Sequence, residues 1–298
     1  MYFATKLLGV LLVGGALYAY HEYPEQIEET VAQVGEQAEL WAEEASQMVR
    51  QLNSETDSEV PTTHTAQQSK KLELPARMKG TPERIIAHTG YTLSFNREHN
   101  APNWVAWELT AKETKGSHPR AEDFLPDPDV PEPHRVTTYD YKGSGYDRGH
   151  MVPAADMKWS ARAMKECFYM SNMCPQNGSL NSGAWNSLEN ACRRWAQQEG
   201  SIYIVCGPVY QKKRPKKIGK NCKVSVPDGF FKAVLSTRKG HEKAIAFYYT
   251  NRTGKQPMTK TAMSVDQAEE LTGINFFVHL PDKLENRIEA SYSLKQWQ

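Results

Sequence analysis

Two short polar runs hold the residues of this 298-residue chain that could do chemistry. The first is Gly143-Ser-Gly-Tyr-Asp-Arg-Gly-His150, where a histidine follows an acid and an arginine among glycines. Glycines let the backbone turn tightly and come close to a ligand. The second run, Asn181-Ser-Gly-Ala-Trp-Asn-Ser-Leu-Glu189, follows about 30 residues later with amide and carboxylate oxygens at helical spacing. A lone histidine is usually structural, but the polar residues and glycines around it predict a catalytic site at His150.

These residue types suit the hydrolysis of a phosphodiester. Water must lose a proton near neutral pH, which matches the ordinary pKa of histidine. Negative charge gathers on the phosphate, which calls for a divalent cation and an arginine. Mg²⁺ prefers oxygen ligands and keeps several waters. Asn181 and Glu189 are about 12 Å apart along a helix axis at roughly 1.5 Å per residue. We therefore expect Asn181 to bind the ion directly and Glu189 to bind it through a water molecule.

Hydrophobic patterning predicts the elements that must position these runs. Alternating apolar residues predict strands at 104–110, 202–205, 230–237 and 243–250. Helical signals lie at 160–168 and 182–198, and Ser264 opens a capping box for a helix that Gly273 ends. Residues 123–134 are rich in proline and acids and predict a long surface loop. The fold class is α+β, with a central antiparallel sheet flanked by helices.

The N-terminal region has a different composition from the rest of the chain. Residues 1–20 contain an uncharged apolar run after Lys6 and predict an uncleaved signal anchor, with a cleaved signal peptide as the alternative. Residues 21–52 predict an acidic amphipathic helix that serves as a stalk, and residues 53–71 a flexible linker. Residues 72–298 form the predicted globular domain. Lys6 before the apolar run and acids after it predict export of that domain to the periplasmic or extracellular side.

The charge of the chain is segregated, although its formal net charge is only +1. Residues 21–59 carry a net charge of −10 and residues 60–298 a net charge of +10. A basic domain suggests a polyanionic partner. On charge alone, a solvated basic surface without such a partner is an equally good interpretation. The mean hydropathy of −0.66 excludes a polytopic membrane protein. The five cysteines form no C-x-x-C pair, which argues against a structural zinc site. In an exported protein, Cys206–Cys222 is the disulfide to test.

Both polar runs resemble the DNA/RNA non-specific endonuclease family of the ββα-metal class, which includes the secreted Serratia nuclease and mitochondrial endonuclease G. The family hallmark Asp-Arg-Gly-His stands here as Asp147-Arg148-Gly149-His150. The second block stands as Met170-Ser-Asn-Met-Cys-Pro-Gln176 followed by the Asn181 to Glu189 run. The likeness covers about two thirds of the chain, from near residue 85 to near residue 280.

The resemblance assigns roles by matching position. His150 is the implied general base, Asn181 the direct Mg²⁺ ligand, and Glu189 a catalytic residue that binds the water shell of the metal. Arg120 matches an arginine that contacts the scissile phosphate, and Asn172 matches an asparagine that shapes the site where substrate binds. Mn²⁺ is an expected substitute for Mg²⁺. The implied fold is a ββα-metal finger in which His150 ends a β-ribbon and Asn181 opens the crossing helix.

Two basic features keep alternative interpretations. Arg148 either touches the substrate phosphate or is a structural ion-pair partner of Asp147 or of the acidic loop. The run Lys212-Lys-Arg-Pro-Lys-Lys217, with Lys220 and Lys223, is either a phosphate track or a solvated loop. Trp185, between Asn181 and Glu189, is expected to pack rather than to stack on a base.

The expected activity is therefore Mg²⁺-dependent endonucleolytic cleavage of DNA and RNA, leaving 5′-phosphate ends and reading the backbone rather than the bases. The expected enzyme is tethered to a membrane through residues 1–20 or secreted after signal cleavage. Family likeness and the stalk also suggest a homodimer. The alternatives are a non-catalytic surface module that captures DNA and a membrane-tethered coiled-coil scaffold.

Overall fold

The computed structural model describes residues 71–297, and these build an α+β domain around one large sheet. The strands are β1 (Arg84–Ala87), β2 (Thr92–Asn96), β3 (Ala101–Thr110), β4 (Asp147–His150), β5 (Met173–Gln176), β6 (Ser201–Val209), β7 (Lys217–Ile218), β8 (Val224–Ser225), β9 (Gly229–Ser236), β10 (Lys243–Thr250) and β11 (Ala262–Met263). Seven of them form an antiparallel sheet in the order β1-β2-β3-β6-β9-β10-β11. Strands β4 and β5 form a separate ribbon, and β7 and β8 form another.

The helices lie between and after the strands. They are α1 (Ala161–Glu166), α2 (Gly178–Leu180), α3 (Asn186–Glu199), α4 (Met258–Thr261), α5 (Val265–Thr272) and α6 (Asp282–Glu289). A π-helical turn, Asn181–Trp185, joins α2 to α3, so residues 178–199 form one continuous helix, which we call the site helix. Gly200, at φ 89°, ends this helix because a left-handed backbone suits glycine.

The sheet is buried on both faces. In β9, Phe230 and Val234 pack toward the site helix and the β4–β5 ribbon, whereas Phe231 and Leu235 pack toward α5 and α6. Every residue of β9 is buried. This explains why the central strands are nearly continuous apolar runs, since a strand covered on one face only would alternate. The ribbon and the site helix thus rest on one face of a rigid sheet, which is the support that a precise site requires.

Most of the predicted elements are confirmed. The predicted strand at 243–250 has the bounds of β10, and the 182–198 prediction falls within the site helix. Ser264 forms the expected capping box, and Gly273 ends α5 at φ 70°. The segment 123–134 contains no helix or strand, although Leu125 makes an isolated bridge to Tyr169.

The predicted Cys206–Cys222 disulfide is wrong, because all five cysteines are unbridged and buried. Cys206 instead donates its thiol to the carbonyl of Met151, 3.2 Å away. The predicted anchor, stalk and linker lie outside the described residues, apart from residue 71. Between residues 71 and 297, no helix has the length and apolar character needed to span a membrane.

Candidate active site

The Asp-Arg-Gly-His run is strand β4, and it pairs antiparallel with β5. Gly149 faces Cys174 in this register and packs against the side chain of the neighbouring Gln176. A Cβ at position 149 would stand 2.6 Å from the Cβ of Gln176, closer than real side chains come. Glycine is therefore required here so that the two strands can approach. The ribbon places His150 at the end of β4, as predicted.

The site helix begins with a side-chain cap. The Oδ1 atom of Asn177 accepts hydrogen bonds from the backbone N–H groups of Ser179 and Leu180, at 3.0 and 3.4 Å. The N–H of Asn177 donates to Oδ1 of Asn251 at 2.7 Å, which ties the helix start to the end of β10. Asn181 follows one turn later, in the π-helical turn. Such turns are rare and often occur at functional sites.

Asp147 connects the ribbon to the site helix. The Asn181 side-chain amide donates from Nδ2 to Oδ2 of Asp147 at 2.9 Å. This bond uses the amide nitrogen of Asn181 and so leaves its carbonyl oxygen as the available ligand atom. Asp147 therefore orients Asn181.

His150 is half-buried between two aromatic rings. Its ring centroid lies 4.7 Å from that of Phe168 and 5.5 Å from that of Phe124. Burial, together with the charges of Arg120 and Arg148, lowers the pKa of His150 to about 3. The imidazole is therefore neutral at physiological pH. Among the described residues, no group forms a hydrogen bond with its buried Nε2 atom.

Arg120 and Arg148 reach the cleft over the same aromatic rings. The guanidinium carbon of Arg120 lies 4.9 Å from the Phe168 ring centroid, and that of Arg148 lies 4.2 Å from the Phe124 centroid. Within the part of the chain described, Arg148 forms no ion pair with Asp147 or with the acidic loop and instead stacks on Phe124. Stacked arginines keep their N–H groups available for a bidentate contact with phosphate.

Glu189 lies two turns along the site helix from Asn181, above a buried charged cluster. Burial raises the pKa of Glu189 to about 7, while the nearby Lys232 acts to lower it. Arg193 donates to Oδ1 of the buried Asp156 at 2.8 Å. Lys232 is almost fully buried, with its Nζ 4.5 Å from the ring centroid of Trp185. As predicted, Trp185 packs in the core.

Sequence reasoning missed two residues of this cluster. Arg193 follows Glu189 by four residues, a spacing that places both on one helix face and could have indicated it. Lys232 interrupts the apolar run of β9, and nothing in that pattern shows which buried acids it meets.

Asn172, which was expected among the substrate-binding residues as one that shapes the site, does not line the cleft. It is fully buried, and its Nδ2 donates to the carbonyls of Val152 and Cys167 at 3.0 and 2.8 Å. Its Oδ1 accepts from the N–H of Val152 at 3.0 Å. All these bonds hold the segment that follows His150, so Asn172 shapes the site from behind.

These groups line one open cleft of about 810 Å³. Arg120, Arg148, His150, Asn181, Glu189 and Arg193 all contribute to its wall. Tyr139, Lys142 and Tyr146 contribute to it as well. The predicted residues other than Asn172 therefore meet in one place, although they come from distant parts of the sequence.

The donor set of the cleft fits a hard divalent cation. Asn181 offers a neutral amide oxygen whose orientation Asp147 fixes, and Glu189 offers a carboxylate on the same helix. Among the described residues that line the cleft, His150 is the one histidine and there is no cysteine, whereas a zinc site usually has three or four such ligands. Mg²⁺ needs only one or two protein oxygens, because it retains its waters. The residues present can therefore hold Mg²⁺.

Together, a neutral histidine, stacked arginines and oxygen donors in an open cleft define a site suited to hydrolysing phosphodiesters. Residues 74–283 match the family model described as DNA/RNA non-specific endonuclease, and the chain belongs to this family. The family is one of nucleases, which are hydrolases of phosphodiester bonds.

The relatives support this assignment. The chain is 36% identical over 211 residues to "Nuclease 1, mitochondrial" of Schizosaccharomyces pombe, covering 64% of this chain and 65% of the relative. It is 32% identical over 206 residues to "Endonuclease G, mitochondrial" of Homo sapiens, covering 65% and 69%. A solved structure of the EndoG/EndoGI complex superposes with a TM-score of 0.66 at 28% identity, covering 76% of this chain and 96% of that chain. The chain thus spans slightly less than two thirds of the fission-yeast protein.

Proposed function

We propose that the chain is a Mg²⁺-dependent endonuclease that cleaves DNA and RNA without sugar specificity and leaves 5′-phosphate ends. The observation that carries the proposal is the placement of His150. Its imidazole is neutral, its Nε2 atom has no partner among the described residues, and it lines the same cleft as Arg120 and Asn181. A base that is free to accept a proton thus stands beside groups that can bind a phosphate.

In the proposed reaction, His150 accepts a proton from the water whose oxygen attacks the phosphorus atom. The bond between phosphorus and the 3′ oxygen breaks, and the departing 3′ oxygen takes a proton from water. Arg120 and Arg148 stabilise the negative charge that develops on the phosphate oxygens. Bound Mg²⁺, held by Asn181 and through water by Glu189, would supply Lewis-acid stabilisation of the same charge. Asp147 keeps the Asn181 amide in place. Mn²⁺, which also accepts oxygen ligands, is the expected substitute.

Low sequence selectivity follows from the groups around the cleft. Arginines, lysines and polar side chains bind phosphates, which carry no sequence information. On the rim, Lys220 lies 5.1 Å from the ring centroid of Tyr139, and Lys216 lies 5.1 Å from that of Tyr146. Tyr139 is 47% exposed. Stacking of bases on such rings tolerates any sequence, so we assign these lysine–tyrosine pairs to the binding of DNA and RNA.

We also propose that residues 1–20 anchor the enzyme in a membrane, residues 21–52 form a spacer, residues 53–71 a linker, and residues 72–298 the nuclease domain on the exported side. The apolar run after Lys6 supports the anchor, and the acidic helix supports self-association into a homodimer. The names of two relatives give a mitochondrial location, which is the alternative to export. Fractionation of cells that express the tagged full chain tests this: a wholly soluble tag would contradict the anchor.

The activity is tested by incubating plasmid DNA and total RNA with the full chain, with Mg²⁺ or with EDTA. We expect both substrates to be degraded only with the metal. Asn181→Ala should raise the Mg²⁺ concentration for half-maximal rate, because it removes the direct ligand. An unchanged Mg²⁺ titration would refute the assignment of Asn181. Intact nucleic acid with salt-sensitive binding would favour a capture module instead.

A further inference from the structure

A second group of oxygen donors lies on the other face of the sheet from the cleft. Asp266 and Glu269 are on α5, and Glu289 is the last residue of α6. One carboxylate oxygen from each lies within 4.8 Å of the others. Both helices pack on the sheet through Val265, Ala268 and Ile288, in the core that the cleft residues do not enter. This carboxylate cluster is therefore separate from the candidate active site.

Glu289 is the residue that calls for an explanation. Glu289 is only 4% exposed, and its Oε1 atom has no hydrogen-bond partner in the described part of the chain. A buried carboxylate without a partner is costly, because it has lost its hydration. Something that these residues do not supply should satisfy it.

The other two carboxylates leave room for such a group. The Oε1 atom of Glu269 accepts a hydrogen bond from the N–H of Phe276 at 2.7 Å, which fixes its orientation and leaves Oε2 for another partner. Asp266 is exposed at the first turn of α5, so the cluster opens to water on that side. The cluster thus combines one buried, one half-buried and one exposed ligand.

We propose that Asp266, Glu269 and Glu289 form a Ca²⁺ site that clamps α5 to α6. Two oxygens that bind the same ion at about 2.4 Å lie at most about 4.8 Å apart. The three carboxylate oxygens all lie within 4.8 Å of one another, so one ion can contact all three. Ca²⁺ accepts six to eight oxygens in flexible geometry, so water can complete its shell on the open side. Mg²⁺ demands a stricter octahedron and is usually bound by one or two carboxylates, whereas this cluster offers three.

One of the three ligands, Glu289, lies outside the segment that the family model spans, whereas Asp266 and Glu269 lie inside it. That match ends at residue 283, and Glu289 lies beyond it. By contrast, the group formed by His88, Asp127 and Asp129 needs no ion. Asp127 already accepts hydrogen bonds from Ser171 and from the N–H of Asp129, and it bonds to His88 at 3.1 Å.

The test uses the chelator-treated full chain carrying Asn181→Ala, so that the cleft loses its direct metal ligand. Calorimetric titration with CaCl₂ should show one bound ion per chain, and Ca²⁺ should raise the melting temperature. Glu289→Gln and Glu269→Gln should each weaken Ca²⁺ binding by roughly tenfold or more, since each removes a charged ligand. Glu270→Gln is the matched control, because it removes an exposed charge from the same helix and should change nothing.

Two results would overturn the proposal. One is Ca²⁺ binding that Glu289→Gln, Glu269→Gln and Asp266→Asn all leave unchanged. The other is no Ca²⁺ binding at all while Glu289→Gln stays folded, which would show that Glu289 carries a proton. If Glu289→Gln does not fold, Glu269→Gln and Asp266→Asn decide the outcome. Cleavage of DNA by the chain with an intact Asn181 is measured separately, so failure of this site and failure of the nuclease proposal are distinguishable.

Discussion

At the residue scale, His150 lies close to two positive charges. Among the described residues, no carboxylate forms a hydrogen bond with the Nε2 atom of this histidine. Arg120 and Arg148 lower its pKa in the free protein, together with burial. A phosphate bound between these arginines would offset their charge, so the imidazole should become more basic when substrate is present. In the proposed mechanism, these surroundings keep the imidazole neutral in the free protein and make it a stronger base when the substrate binds.

The pH dependence of folding stability should show the same environment. The folded-state pKa of His150, about 3, lies below the ordinary value of 6.5. Between pH 6.5 and pH 3, the histidine therefore binds a proton in the unfolded chain but not in the folded chain. The stability of the fold falls as the pH falls through this range. Because of this residue, the free energy of unfolding should be about 2 kcal/mol lower at pH 5 than at pH 7. Urea unfolding at both pH values measures it.

His150→Asn should remove that part of the pH dependence. His118→Asn, at an exposed histidine, is the matched control and should behave as the unsubstituted chain does. If His150→Asn loses as much stability at pH 5 as the unsubstituted chain, the imidazole is not held neutral by its surroundings.

Asp147 gives a second prediction at the residue scale. Asp147→Ala frees the Asn181 amide to rotate, and groups that orient a metal ligand typically contribute ten- to hundredfold to affinity. The Mg²⁺ concentration for half-maximal cleavage should rise by about that factor, while Glu270→Ala should leave it unchanged. A normal Mg²⁺ requirement in Asp147→Ala would show that the hydrogen bond has no role.

At the element scale, the site depends on the close approach of β4 to β5. Gly149→Ala should force Gln176 aside and separate the strands, so both the melting temperature and the cleavage rate should fall. Gly183→Ala is the control within the site helix, because a Cβ there meets no atom within 4 Å. Thermal unfolding and a DNA cleavage assay check both variants. Equal behaviour of the two would mean that the ribbon tolerates the added methyl group.

The helices and strands were largely predictable from the sequence, whereas the side-chain contacts between them were not. Periodicity and capping residues located β10, the site helix and α5, because those signals are local. The motif pairing also placed His150 and Asn181 in one site. The bond from Asn181 to Asp147 and the ion pair from Arg193 to Asp156 join residues 34 and 37 positions apart. Such contacts depend on the assembled fold and leave no periodic trace.

At the scale of the whole molecule, the basic run is not one continuous phosphate track. Lys212 pairs with Asp228 at 2.6 Å, and Lys217 and Lys223 donate to backbone carbonyls. Lys216 and Lys220 instead lie over the tyrosines of the cleft rim. Lys216 and Lys220 are therefore the residues of this region that we assign to nucleic-acid binding, because they lie at the cleft.

Replacing Lys216 and Lys220 together by glutamine should weaken DNA binding and flatten its salt dependence. Each lost phosphate contact removes about 0.9 from the slope of log K against log salt. Binding is measured in EDTA, which prevents cleavage. Lys283→Gln, on α6, is the control and should keep the original slope. An unchanged slope in the double variant would identify the run as a solvated loop.

The most direct test of the central claim compares the full chain with His150→Ala at saturating Mg²⁺, measuring both DNA affinity and the single-turnover cleavage rate. The proposed mechanism predicts an affinity close to that of the unsubstituted chain and a rate that is lower by about two to four orders of magnitude, the usual contribution of a general base. Cleavage at the original rate by His150→Ala would contradict the account.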